Sequence, residues 1–148
     1  MFWTKGRVSV EIRKGHSWSA SLIDRPARGS NGDVQVLEIR DVSSELMVRI
    51  ANIYAAPVFG SGSMDRPCEE MDWTEVLDDQ VGVVGGDFNS HSSRWDPREE
   101  RQRGRGADWA LNSIDQFDLR VINDGTSTYH RNKSDYEAVL DLTLAEGG

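Results

Sequence analysis

The chain has 148 residues, of which 37% are hydrophobic and 28% charged, and its formal net charge at pH 7 is −8. These proportions are typical of one globular domain and exclude a disordered chain. The acidic balance argues against tight, unassisted binding to nucleic acid, because phosphate contacts dominate such affinity. The single cysteine, Cys68, excludes an internal disulfide, and the sequence shows no long apolar run and no signal peptide. We therefore expect an intracellular protein, nuclear or cytoplasmic, with no membrane association.

Apolar residues that alternate with polar ones predict strands in the first third of the chain. Residues 7–13, RVSVEIR, place three aliphatic side chains on one face. Val34–Ile39 and Leu46–Tyr54 are also rich in β-branched residues, and a polar turn separates them. These two segments therefore predict an antiparallel hairpin.

A helix and a buried strand are predicted in the middle of the chain. Cys68–Gln80 has an apolar helical face, and Val81–Val84 is a short β-branched run. Gly85 and Gly86 follow, where the backbone can turn or approach another segment closely. Strand, loop, helix and strand in this order predict an α/β unit.

Asp87 and Asn89 follow these glycines at the end of the predicted strand. If the backbone stays extended, both side chains lie on one face and Phe88 points into the core. A carboxylate beside a carboxamide can hold a hard metal ion, or a water next to a phosphate. Polar groups at the carboxyl ends of strands are a common place for chemistry in α/β folds. The alternative is a strand that ends in an Asx turn, because Asp and Asn favour turns.

The C-terminal half predicts one more helix and two strands. Asp108–Phe117 reads as the helix, Leu119–Asn123 as a strand, and Ala138–Ala145 as an apolar strand that carries Asp141. An aspartate within so apolar a strand is costly unless it is paired or hydrogen-bonded. We therefore expect Asp141 to belong to a site and to lie near Asp87. The alternative places Asp141 at an exposed position of the strand.

Four short segments, in the order in which they occur, carry a resemblance to a known family. They are NIYAAP (52–57), GGDFNSHSSRW (85–95), TSTYH (126–130) and AVLDLTLA (138–145). They resemble the NxYxPP, GDFN, GTPTY and SxxDLTLA motifs of the endonuclease/exonuclease/phosphatase superfamily, although Ala56, Ser127 and Ala138 depart from the pattern. The His and Trp after GDFN are similar to the branch found as the endonuclease domain of non-LTR retrotransposon polyproteins.

The resemblance implies a fold and a set of site residues. The fold is α/β (α+β), a two-sheet, mostly antiparallel β-sandwich flanked by helices, DNase I-like and incomplete at both ends. In the implied reaction, Asp87 orients and deprotonates the attacking water, Asn89 holds the phosphate or the metal, and Tyr54 stabilises developing charge. Asp141 lies near the catalytic centre in the family. His91 supports the site or contacts a phosphate, unless its role is structural.

The implied activity is metal-dependent hydrolysis of phosphodiester bonds, as a DNA-nicking endonuclease domain of a retroelement. Mg²⁺ (or Mn²⁺) is the implied cofactor, with Asp87 and Asn89 as ligands. The implied partners are DNA and the rest of a retroelement polyprotein, including a reverse transcriptase. The family's early Asn and metal-binding Glu, and its final Ser-Asp-His segment, have no match here. We therefore interpret residues 1–148 as a single truncated domain that does not cleave DNA at a useful rate by itself.

Two further points remain open in the sequence. The alternative function is a catalytically inactive remnant of the fold that acts, if at all, as a binding module. Five arginines between residues 94 and 105 are either a solvated loop with local ion pairs or a local contact to the DNA backbone. No cysteine cluster or HxxxH spacing indicates zinc, and no P-loop or dinucleotide fingerprint is present.

Overall fold

The computed structural model describes residues 2–5, 8–11, 18–23, 34–44, 46–55, 81–100, 105–132 and 135–147. The predicted helix Cys68–Gln80 lies outside these residues. In the described part of the chain, the strands and the helix are β1 (Phe2–Lys5), β2 (Val8–Glu11), β3 (Trp18–Ile23), β4 (Val34–Asp41), β5 (Met47–Tyr54), β6 (Val81–Asp87), α1 (Arg105–Gln116), β7 (Leu119–Val121), β8 (Tyr129–His130), β9 (Glu137–Ala138) and β10 (Asp141–Glu146).

A six-stranded sheet with the order β3-β4-β5-β6-β10-β7 is the centre of the fold. Its described neighbours pair antiparallel except β5 and β6, which run parallel. A parallel pair needs a crossover between its strands, as the predicted α/β unit requires. Two smaller sheets, β1-β2 and β8-β9, complete the described strands, and β2 lies close to β4 and β5. The architecture is mixed α+β and mostly antiparallel, as predicted.

The predicted hairpin is confirmed as β4 and β5, which pair antiparallel from Val34 opposite Ile53 to Arg40 opposite Met47. The turn between them is stabilised by Asp41, whose carboxylate accepts hydrogen bonds from the backbone N–H of Ser43 at 2.9 Å and from its hydroxyl at 2.7 Å. This is the local arrangement that makes Asp a favoured turn residue.

The two faces of the sheet have different roles because side chains alternate along each strand. One face presents Val36, Ala51, Val84 and Leu144, which are opposite one another across neighbouring strands and fully buried. The core on this face includes Ala107, Ala110 and Ile114 of α1. The opposite face carries Tyr54, Asp87 and Asp141 at the sheet's edge, where β5 and β6 end and β10 begins.

The helix begins three residues before the predicted Asp108 and ends one residue before Phe117. Ala110 and Ile114 are buried as their spacing predicts, while Trp109 is half-buried and contacts Phe88, with ring centroids 5.7 Å apart. The helix therefore packs against the segment that follows β6. No helix in the described ranges is long and apolar enough to span a bilayer.

The predicted strand Ala138–Ala145 is wrong as one continuous element. It is divided into β9 and β10, and the backbone N–H groups of Val139 and Leu140 between them donate to side chains instead of to a strand. The Val139 N–H donates to Asp96 Oδ2 at 3.1 Å, and the Leu140 N–H donates to Thr128 Oγ1 at 3.0 Å. These two tertiary contacts satisfy backbone groups that would otherwise need a strand partner, so the chain can change direction there.

Candidate active site

Three neighbouring strands bring Tyr54, Asp87 and Asp141 into one row. In the parallel β5–β6 pair, Tyr54 is opposite Asp87, and in the antiparallel β6–β10 pair, Asp87 is opposite Asp141. Residues opposite each other across a sheet point to the same face. The predicted proximity of Asp87 and Asp141 is therefore confirmed, and a phenol lies at the same end of the sheet.

Asp87 and Asp141 form a non-hydrogen-bonded pair, the type of antiparallel pair in which the two residues lie closer together. The Phe88 N–H donates to the Leu140 carbonyl at 2.8 Å, so a ladder hydrogen bond lies beside the pair and not within it. In such a pair the Cα atoms are about 4.5 Å apart and the side chains are close together. Asp141 is exposed, as in the alternative reading of its strand, because it faces away from the core beside the buried Leu140 and Leu142.

The environment of Asp87 favours its protonated form. Partial burial raises the pKa of the Asp87 carboxyl, hydrogen bonds from Asn89 oppose this increase, and the nearby Asp141 carboxylate adds to it. Loss of hydration and like charge both penalise the ionised form. A carboxylate with a raised pKa is a stronger base than a free aspartate, which suits a group that removes a proton from water.

Asn89 lies in a turn and not in an extended continuation of β6. Its φ is 44°, in the left-handed region that Asn tolerates better than most residues. Its backbone N–H donates to Asp87 Oδ1 at 2.9 Å, and its Nδ2 donates to the Ala55 carbonyl at 2.9 Å. Of the two possibilities for this segment, an extended backbone and an Asx turn, the structure has the turn, and Phe88 is buried as predicted. The Asx turn and the site are the same structure, because the turn fixes both polar side chains.

His91 lines a cleft of about 260 Å³ to which no residue of this row contributes. His91 Nε2 is 3.4 Å from the hydroxyl of Tyr136, and its Nδ1 is 3.6 Å from Glu99 Oε2. Asp96, Arg98 and Glu137 also line the cleft. The structure thus groups Tyr54, Asp87, Asn89 and Asp141, and places His91 in a cleft that these four residues do not line.

Asp96 is a structural residue of the site that the sequence did not indicate. Its side chain is fully buried and accepts hydrogen bonds from Arg98 Nε at 2.9 Å and from the Val139 N–H at 3.1 Å. Burial disfavours the charge, but the hydrogen bonds from Arg98 and Val139 outweigh it and hold the pKa of Asp96 below its usual range. Asp96 therefore ties the loop after the GDFN motif to the segment before β10.

Two more side chains hold the backbone of Asp141. Thr128 Oγ1 accepts the Asp141 N–H at 2.9 Å, and Asn123 Nδ2 donates to the Asp141 carbonyl at 3.0 Å. Sequence reasoning missed both residues as parts of the site. Thr128 stands in the TSTYH segment that carried the resemblance, which is the only signal that could have identified it, and Asn123 was assigned to a strand.

The arginine-rich loop makes local ion pairs where the structure describes it. Arg94 Nη1 is 2.5 Å from Asp115 Oδ1, and Arg98 pairs with Asp96 and with Glu137. Arg98 also contacts the hydroxyl of Ser127. The first of the two interpretations, a loop with local ion pairs, is therefore confirmed for Arg94 and Arg98.

The oxygen atoms of this row are suitable for a hard divalent cation but are few. Within the described ranges, no three His, Cys, Asp or Glu side chains converge on one point. Magnesium is commonly held in proteins by one or two carboxylates, with water and substrate phosphate completing its shell. Asp87 and Asp141 supply two adjacent carboxylates, as many as magnesium commonly uses, and the Asn89 carboxamide lies at the same strand end.

Comparisons with known proteins agree with this geometry. Residues 48–147 match the family model described as endonuclease-reverse transcriptase. Among solved structures, the chain is similar to the endonuclease domain of TRAS1, a telomere-specific non-LTR retrotransposon, with 14% sequence identity and a TM-score of 0.69. This match covers 99% of the present chain and 66% of the TRAS1 chain, and it confirms the predicted DNase I-like fold class. Comparison with curated proteins gives no match.

The family match extends from β5 to the residue after β10, and so includes all four residues of the grouped site. It covers more than half of the sequence, and the resemblance identified from the four motifs is confirmed. The chain belongs to the endonuclease-reverse transcriptase family.

Proposed function

We propose that this chain is a DNA-nicking endonuclease domain of a retroelement that hydrolyses a phosphodiester bond with the help of a divalent metal ion. The observation that supports it is the row formed by Tyr54, Asp87 and Asp141 at one edge of the sheet. A hydrogen-bond donor and two carboxylates, one of which can act as the base, are groups that metal-assisted phosphodiester hydrolysis uses.

Each residue in the row has a distinct proposed role. Asp87 orients a water molecule and accepts its proton, for which its raised pKa makes it a better base. Asn89, fixed by its bond to the Ala55 carbonyl, holds the phosphate or the metal ion. The hydroxyl of Tyr54 donates a hydrogen bond to a phosphate oxygen on which charge develops. His91 contacts a neighbouring phosphate from the cleft that it lines.

Mg²⁺ or Mn²⁺ would be held by Asp87 and Asn89, with the Asp141 carboxylate adjacent. A bound ion of this kind supplies positive charge to a phosphate in its transition state. The two carboxylates also repel each other without a cation between them, so the protein itself favours cation binding at this point.

The partners proposed for this domain are DNA and the rest of a retroelement polyprotein that includes a reverse transcriptase. A net charge of −8 gives the chain little general attraction to DNA. The affinity for DNA is therefore proposed to come mainly from other parts of such a polyprotein, while this domain supplies the reacting groups.

The proposal is tested by metal binding and by nicking of supercoiled plasmid. Mn²⁺, which is paramagnetic, is titrated into the isotopically labelled protein, and we expect it to broaden the NMR signals of Asp87, Asn89 and Asp141 first. In millimolar Mg²⁺ we expect slow conversion of supercoiled to nicked plasmid. Asp87→Asn should remove this nicking, while the control Arg94→Ala, which removes only an exposed ion pair, should retain it.

Two results would contradict the proposal. One is broadening spread over the acidic surface without preference for this row. The other is plasmid nicking that is the same in wild type and in Asp87→Asn, which would identify a contaminant. Either result would favour the alternative, a catalytically inactive remnant that acts as a binding module.

A further inference from the structure

We propose that Asn123 is a positioning residue whose side chain continues the pairing of β7 with β10 and so holds Asp141 beside Asp87. This inference rests on the proposed function for its consequence in catalysis. The positioning itself is argued from the hydrogen bonds at the start of β10.

The pairing between β7 and β10 ends before it reaches Asp141. Strand β7 pairs with β10 from Leu119 opposite Glu146 to Val121 opposite Leu144. One residue further, the Ile122 N–H still donates to the Thr143 carbonyl at 2.8 Å. Beyond this point the main chain of β7 no longer runs beside β10, so the first residues of β10 need other partners.

Beyond this point the side-chain carboxamide of Asn123, and not the backbone of β7, makes the hydrogen bonds to β10. Its Oδ1 accepts the Thr143 N–H at 2.7 Å, and its Nδ2 donates to the Asp141 carbonyl at 3.0 Å. A carboxamide offers one acceptor and a donor in the same plane, as a peptide group does. Asn123 therefore continues the ladder by one more step with its side chain.

The Asp141 backbone depends on this contact because of its place in the ladder. Asp141 forms a non-hydrogen-bonded pair with Asp87, so its own N–H and C=O point away from β6. Thr128 Oγ1 accepts the N–H, and Asn123 is the partner of the carbonyl. The side chain of Asp141 is exposed and cannot be held by the core.

Asp87 and Asp141 also repel each other when both are ionised. The end of a strand frays more easily than its middle, and fraying at this end would let the two carboxylates separate. The bond from Asn123 to the Asp141 carbonyl opposes that separation. We therefore expect the two carboxylates to stay close together in the metal-free protein, at a separation suited to binding a cation.

The experiment compares Asn123→Ala and Asn123→Asp with Val121→Ala. The alanine variant removes both hydrogen bonds, whereas the aspartate variant keeps an acceptor for Thr143 and loses the donor to Asp141. Val121→Ala is the matched control, because Val121 packs against the core and pairs with Leu144, away from Asp141. Amide hydrogen exchange of metal-free protein, Mg²⁺ affinity and nicking kinetics are measured for each.

We expect the exchange rate of the Thr143 amide to rise at least about 10-fold in Asn123→Ala relative to Val121→Ala at equal global stability. Mg²⁺ affinity should fall about 10- to 100-fold in both Asn123 variants, the size of effect seen when residues that orient metal ligands are removed. The kcat for nicking should fall with little change in KM for DNA.

If Asn123 has only a general structural role, its variants will lose global stability as Val121→Ala does, with Thr143 exchange and Mg²⁺ affinity unchanged relative to that control. That result would overturn the inference. If Asn123→Ala folds poorly, Asn123→Asp still tests it through Mg²⁺ affinity, because this variant loses only the donor to the Asp141 carbonyl. If wild type shows neither preferential Mn²⁺ binding nor Asp87-dependent nicking, while Thr143 exchange responds as expected, the proposed function fails and the positioning role stands.

Discussion

Asp87 is surrounded by groups with opposite effects on its charge. Burial and the Asp141 carboxylate raise the pKa of Asp87, while hydrogen bonds from Asn89 lower it, and the increase prevails. A carboxyl whose pKa is raised on folding contributes stability that is fully present below its unfolded pKa of about 3.9 and is lost as pH rises through the folded pKa. At neutral pH the ionised Asp87 therefore destabilises the fold while it provides a base.

Asp87→Asn should separate these two effects. We expect plasmid nicking to fall by at least about 100-fold, because the general base is lost. The melting temperature at pH 7 should rise, because the amide keeps an acceptor for the Asn89 N–H and carries no charge. The increase in melting temperature relative to wild type should become smaller as the pH falls through the raised pKa of Asp87. Thermal melts of both proteins between pH 4 and pH 8 measure this, with the exposed Asp115→Asn as control; a lower melting temperature for Asp87→Asn at pH 7 would contradict the assignment.

Gln35 is a buried polar residue on the face of the sheet that carries the site. It is 1% exposed, and its two amide atoms have no hydrogen-bond partner among the described residues. A buried group without a partner costs about 1–3 kcal/mol. Gln35→Met, which has a similar shape, should therefore stabilise the fold by about 1–2 kcal/mol in urea unfolding. The exposed Gln116→Met is the control, and a destabilised Gln35→Met protein would mean that the amide has a bound partner such as water.

At the scale of elements, the parallel pair β5–β6 depends on a close backbone approach at Gly86. Its φ is +145°, and a Cβ built there would lie 1.9 Å from the Ile53 carbonyl oxygen. Only glycine can occupy this position without displacing β5, which carries Tyr54 one residue beyond Ile53. The two glycines in the motif thus differ, because a Cβ at Gly85 would make only an ordinary contact of 3.8 Å with the Leu142 carbonyl oxygen.

Gly86→Ala should destabilise the protein by at least about 3 kcal/mol, since both the backbone conformation and the contact with Ile53 are unfavourable for alanine. Gly82→Ala in the same strand is the matched control, because its Cβ would lie 3.6 Å from Val48 Cγ1, an ordinary contact. Urea unfolding of both variants measures the difference. Equal stability of the two variants would show that β5 and β6 can separate without cost.

The loop after β6 and the segment before β10 are held together by Asp96. Its low pKa means that its contribution to stability is present above the unfolded pKa of about 3.9 and is lost as pH falls through the lower folded pKa. Arg98 extends this network to Ser127 and Glu137, next to the His91 cleft. The loop that contains His91 is therefore fixed by tertiary contacts and not by a helix or strand of its own.

Asp96→Asn should destabilise the fold by about 2–3 kcal/mol at pH 7, because it removes a charged acceptor of the Val139 and Arg98 hydrogen bonds. The difference from wild type should begin to decrease as the pH falls below the unfolded pKa, and decrease further through the lowered folded pKa of Asp96, where the wild-type carboxylate is also protonated. Unfolding measured at pH 7 and pH 3 tests both statements, and Asp124→Asn, an exposed turn carboxylate, is the control. A constant difference at the two pH values would argue that the charge of Asp96 is not what stabilises the loop.

At the scale of the whole molecule, a chain with a net charge of −8 carries the adjacent carboxylates of Asp87 and Asp141 where β6 ends and β10 begins. A cation that binds the folded state and not the unfolded chain stabilises the fold by an amount that grows with the logarithm of its concentration relative to its Kd. At a concentration ten times its Kd, Mg²⁺ should stabilise the protein by about 1.4 kcal/mol, which raises the melting temperature by about 3–6 °C. Asp87→Asn should show less than half of this shift. An equal shift in both proteins, or an equal shift with Na⁺ at matched ionic strength, would mean general screening of the acidic surface.

Much of the local structure was readable from the sequence because its causes are local. The β-branched residues on either side of a polar turn predicted β4 and β5 as a hairpin, and the β-branched run with its glycines predicted β6. Asp87 and Asn89 were identified as a candidate site because polar groups at the carboxyl ends of strands are a common place for chemistry, and because GDFN resembles a family motif. The Asx turn at Asn89 was predicted as an alternative, and it exists together with the site.

Tertiary structure decided which groups meet, since strand pairing and register depend on contacts between residues far apart in the chain. The opposition of Asp87 to Asp141, and the parallel placement of Tyr54, follow from the strand order of the sheet. The burial of Asp96 and the bond from Asn123 to Asp141 have no local pattern, because each satisfies a backbone group supplied by a distant segment. The sequence by itself determined the family, the β4–β5 hairpin, β6 and the candidate side chains. Only the packing of three strands at one edge of the sheet turned those side chains into a single charged row, because proximity between distant residues is a property of the folded sheet and not of any segment within it.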